Sequence, residues 1–241
     1  LPLAIELAAA RVLALAPAAL LTRLEGRLSA LGGGLRDLPA RHQTMAATLD
    51  WSHALLDDAQ RTLFRRLAVF RGGWTLEAAE TVCAAPFGEG PPLDVFDALA
   101  ALTDMSLVQA SPDASAARFS MFEVVAEYAA GHLATAGEAE AIADRHAAAM
   151  AALADAGRQH IVGGEQALWL ERLEADHANL RAALDHLLER RSGDAAVTMA
   201  ADLWRYWYLR GHLQARQAAL RRALDDPAAG RRNNARARAR N

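Results

Sequence analysis

The chain is 241 residues long, 53% apolar and 23% charged, enough for one large domain or two ordinary ones with cores of their own. No run of eighteen residues lacks a charge, so no segment reads as a membrane span, and the single cysteine, Cys83, excludes an internal disulfide and suits a reducing compartment. Net charge is −3 but unevenly placed: residues 216–241 carry eight Arg against two Asp, a surplus of +6 that leaves −9 for the rest.

Taken in chain order, apolar spacing and punctuation predict helices nearly throughout. "LPLAIELAAAR" starts one over about 3–15, with Pro2 in the first turn and Leu3, Leu7 and Ala10 on one face. Pro17 starts a second over 17–31, which Gly32, Gly33 and Gly34 stop. A third, near 43–56, aligns Met45, Leu49 and Ser52 with Trp51 and Leu55 beside them. Asp57 is a good N-cap for "DAQRTLFRRLAVF", whose stripe is Leu63, Leu67 and Phe70, and Gly72 and Gly73 end it. Thr75 caps "LEAAETVCA", a helix in which Cys83 is inert packing; a loop follows over 85–92, then a helix over 93–104. "SLVQA" and "ARFSM", at hairpin distance around "SPDASA", are the one predicted sheet. Three helices followed by a hairpin are the order of a winged-helix domain.

From 122 onward the pattern is helical again. Segments 177–190 and 213–226 share an Ala-Ala-Leu core at an offset of 36 residues, as stacked helix pairs would. Trp207, Gly211 and Ala223 fall in step with the tetratricopeptide pattern, in which a small residue at 211 would let paired helices approach closely. The "GRRNNARARARN" tail reads as a solvated helix start rather than a nucleic-acid arm.

Several stretches resemble, in order, the STAND-type signalling ATPases, the NB-ARC-like group that includes many bacterial transcriptional regulators. They are "LPLAIELAAAR" at the start, residues 36–83, "LAALTDMSLV", "RFSMFEVVAEYA" and "WLERLEADHANLRAAL". The resemblance implies a mainly α chain: a helical lid subdomain over 1–35, a winged helix with a small hairpin over 36–130, and tetratricopeptide-like repeats over 131–241. It places Pro2 on the adenine side of a nucleotide. It puts the family's Met-His-Asp switch motif, which lies beside the phosphates, on Met121, Phe122 and Glu123, where Phe122 lacks the imidazole and Glu123 keeps a carboxylate.

The chain has no lysine and no G-x-x-x-x-G-K-[ST] cradle, so it is expected to have no catalysis and no cofactor of its own. The resemblance implies a cytoplasmic fragment whose partners are an upstream P-loop domain, holding ATP or ADP with magnesium, and a protein or small-molecule signal on the repeats. No His or Cys cluster has metal-binding spacing, and His177 reads as a core histidine bonded to a neighbour. Four aromatics within five residues, Trp204, Tyr206, Trp207 and Tyr208, cannot share one helix face, which makes them candidate partner-binding residues. The helix over 93–104 carries Asp94, Asp97 and Asp104 with no cation, which argues against direct DNA binding. The alternative is a free-standing repeat adaptor for proteins or peptides.

Overall fold

The computed structural model describes residues 45–87, 90–111, 117–190 and 193–212. The expected lid over 1–35, the Gly32–Gly34 stop, segment 213–226 with Ala223 and the basic tail lie outside these residues. Among the described residues the fold is mainly α, with nine helices and three short strands. In chain order these are α1 (Met45–Ala54), α2 (Asp58–Leu67), β1 (Trp74–Thr75), α3 (Leu76–Cys83), α4 (Val95–Asp104), β2 (Gln109–Ser111) and β3 (Arg118–Ser120). They are followed by α5 (Glu123–Thr135), α6 (Ala139–His160), α7 (Gln166–Ala175), α8 (His177–Glu189) and α9 (Gly193–Arg210). The chain forms two compact units, one of residues up to 68 with 75–139, the other of 69–74 with 140 onward.

In the first unit α2, α3 and α4 start where their caps predict. The Asp57 carboxylate accepts the Gln60 N–H at 2.8 Å while the Gln60 side chain accepts the Asp57 N–H, a reciprocal capping box for α2. Thr75 caps α3 and Asp94 caps α4 through the Ala78 and Asp97 amides. Helix α2 packs chiefly on α4 and α5 and buries Leu63, Phe64 and Leu67, each contributing about 1.5–3 kcal/mol by transfer from water. Helix α4 closes with Ser106 at φ 58° and the Leu107 N–H turned back to the Leu102 carbonyl at 3.0 Å, a helix end that usually takes glycine.

The hairpin pairs Gln109 with Ser120, Ala110 with Phe119 and Ser111 with Arg118, antiparallel. A third strand, β1, extends the sheet in the order β1-β3-β2, and at two residues it is too short for any periodicity to betray. On helix α1 Leu49 is buried and Trp51 is exposed, and Leu55, in the turn that follows, is exposed as well. Beneath α2, Arg65 and Arg66 both grip Glu138, at 2.8 and 3.0 Å, and Arg66 also donates to the Cys83 and Ala85 carbonyls. This ties α2 to the end of α3 and to the α5–α6 connection with every charged partner satisfied.

The second unit buries alanine-rich faces. Ala147, Met150 and Ala154 of α6, Leu173 of α7, Leu180 and Leu184 of α8 and Val197, Ala200 and Leu203 of α9 form one core, with Tyr206 and Trp207 at its end. Gly157 of α6 lets α7 approach: a Cβ there would stand 2.8 Å from a Leu173 methyl carbon. The helix that Gly211 was expected to let approach, 213–226, lies outside the described residues; the φ of +79° at Gly211 lets the His212 N–H close back on the Trp207 carbonyl at 2.9 Å, stopping α9.

Candidate functional site

Pro2 lies outside the described residues. Met121, Phe122 and Glu123 stand at the start of α5, where Phe122 occupies the N-cap position in extended backbone and makes no side-chain cap. Phe122 is 43% exposed, and Glu123, also exposed, sits in the first turn, where its carboxylate favours the positive end of the helix. One turn further along, Tyr128 donates to Asp50 at 2.7 Å, and His132 stacks on His53 with ring centres 4.1 Å apart. Burial, then the charge of His132, lowers the His53 pKa; burial, then the bond to Asp50, raises that of the Tyr128 phenol.

The aromatic run near the end of α9 divides by face. Tyr206 and Trp207 are core, Trp207 only 2% exposed, whereas Tyr208 is 61% exposed and its ring lies 6.4 Å from that of half-buried Trp204 one turn back. Of the four candidates, Trp204 and Tyr208 are the two that reach solvent. The Tyr206 hydroxyl, at the core's edge, donates to Glu174 of α7 at 2.9 Å and lies 2.9 Å from His177 Nδ1 at the head of α8. Since the phenol proton goes to Glu174, Nδ1 of His177 carries its own proton and donates. His212 completes the cluster, stacked on His177 at 4.2 Å with its Nε2 3.1 Å from Glu174.

The electrostatics of this cluster are settled internally. Burial raises the Glu174 pKa, but hydrogen bonds from His212 and Tyr206 outweigh it and leave the carboxyl below its usual range. Burial, then the neighbouring His212 and Arg181 charges, lowers His177 against the opposing pull of Glu174; burial and the bond to Glu174 raise the Tyr206 phenol. With the Tyr206 hydroxyl bonded to Glu174 and beside His177, the cluster forms a polar seam among α7, α8 and α9. His177 is bonded to a neighbour as expected, although that neighbour is a phenol.

In the first unit, a cavity of about 400 Å³ is lined by Thr62, Arg65, Arg66, Phe87, Pro92 and Glu138. Its arginines are committed to Glu138 and backbone carbonyls, so its charge is structural. Among the described residues no group of three or more His, Cys, Asp or Glu is arranged to hold a metal, and no helix is long and apolar enough to cross a membrane. Outward positions of the capped α4 segment are Asp94, Phe96, Asp97, Ala100 and Asp104, with no cation among them.

Sequence reasoning missed Glu174, His212 and Asn179. For Asn179 no local signal was present: it stands about 100° round the helix from the Leu180 stripe, and its burial depends on the 69–74 turn far away in sequence.

No family model matches the chain, and no solved structure matches it. Among curated proteins it is 38% identical over 214 residues, 89% of its length, to proteins named "Putative HTH-type transcriptional regulator" in Mycobacterium tuberculosis and Mycobacterium bovis. It is also 37% identical over 145 residues, 60% of its length, to an uncharacterized protein of Mycobacterium tuberculosis, of which it covers 37%. The chain spans about a quarter of the length of the regulators, 24% of each.

Proposed function

We propose that this chain is the coupling segment of a STAND-type transcriptional regulator, in which a lid and a winged helix relay the nucleotide state of an upstream P-loop domain to a tetratricopeptide-like sensor. The observation that carries the reading is the likeness along 89% of the chain to proteins named as HTH-type regulators about four times longer. A segment of that size, with three capped helices and a hairpin, fits an internal switch element better than a whole regulator. In this reading the α4 surface meets protein and not DNA, since a groove-reading helix needs cations for phosphates and guanine edges, and α4 offers Phe96 between acids.

Nucleotide exchange would favour one of two arrangements of the lid and winged helix, and a protein or small molecule on the repeats would bias the same equilibrium. The chain itself performs no catalysis in this account. A longer polypeptide that includes the upstream P-loop domain should bind ADP, and Pro2→Ala should weaken that binding about tenfold, the scale of one lost ring contact. Unchanged ADP affinity in the Pro2 variant, measured by calorimetry, would overturn the reading. The adaptor alternative is favoured by one observation, the outward Trp204–Tyr208 pair.

A further inference from the structure

Residues 69–74, "VFRGGW", join α2 to α3, two helices of the first unit, yet they pack within the second. The packing is built around one amide. Asn179, in the first turn of α8, is wholly buried; its Oδ1 accepts the Arg71 N–H at 2.6 Å and its Nδ2 donates to the Gly73 carbonyl at 2.7 Å. The second Nδ2 hydrogen goes to Asp176 Oδ1 at 3.0 Å. Both hydrogens and the oxygen are thus engaged, and the backbone donor at 71 and acceptor at 73 fix which way the amide points.

The turn is shaped to fit this grip. Gly72 has φ +77° and Gly73 φ +110°, conformations that side chains resist. A Cβ on Gly72 would also stand 3.3 Å from the Ala178 Cβ, next door to Asn179. The flanking aromatics close the seat: Phe70 stacks on Trp74 at 5.4 Å and meets the buried His146 ring edge-on at 5.3 Å. Trp74 is followed directly by Thr75, whose hydroxyl caps α3.

We propose that the Phe70–Trp74 turn is a latch that closes on the first turn of α8, with Asn179 as its positioning residue. Its opening is local: loss of the amide frees the Arg71 and Gly73 peptide groups while the helical core stays folded. The inference stands on these contacts alone and is independent of whether the parent protein binds nucleotide.

Amide hydrogen exchange on the 241-residue chain tests it. Asn179→Ala should speed exchange at the Arg71 amide about tenfold or more, while the Leu63–Leu67 and Ala200–Leu203 amides keep their wild-type rates. Gly72→Ala, which leaves Asn179 intact, should open the same amide. If Asn179→Ala does not fold by circular dichroism, Gly72→Ala decides alone. Wild-type protection of Arg71 in the variants, or an equal acceleration of every core amide, would overturn the latch.

Discussion

A single main-chain angle at Ser106 sets the first testable consequence at the scale of residues. Its φ of 58° places an L side chain in the left-handed region to close α4, at a cost of about 1–2 kcal/mol relative to glycine. Ser106→Gly should therefore raise stability by about 0.5–1 kcal/mol once the added freedom of the unfolded chain is subtracted, seen as a higher urea midpoint at unchanged slope. His146 supplies the second. Burial, opposed by its bond to Asn179 and assisted by the Arg71 charge, pushes its pKa down to about 4, with Asp176 and His186 also acting on the ring. The folded state then holds a neutral ring while the unfolded chain protonates near 6.5, so stability is lost as pH falls from 6.5 toward 4. The full loss is about 3 kcal/mol, and His146→Phe should flatten this part of the stability–pH curve.

At the scale of elements, α9 shows how far a sequence pattern reaches. Four clustered aromatics signalled that one helix must serve two faces, and it does; which residue took which face depended on where α7 and α8 pack, and no local spacing encodes that. Trp207→Ala should cost about 3–5 kcal/mol as a core deletion and lower the melting temperature, whereas Tyr208→Ala should change stability by less than about 0.5 kcal/mol. Thermal unfolding of the two variants separates them, and Tyr208 is the position at which loss of a partner would report recognition. Caps were legible for a simple reason: Asp57, Thr75 and Asp94 act on amides three residues away. Strand β1 and the part played by Asn179 were not, because each rests on groups distant in sequence.

For the whole molecule, the order of helices, hairpin and helices followed from periodicity and punctuation, while the loan of residues 69–74 to the second unit did not. The second unit takes six residues from the middle of the first unit's sequence, a loan decided by one buried amide more than a hundred residues away. The loan bears on how such proteins can be recombined. A crossover near residue 139 would join helices from one parent to a turn inherited from the other, and the chimera would hold together only if an asparagine met a Gly-Gly pair across the junction. Exchange of the helical half is therefore constrained by a lock and its key that are inherited separately.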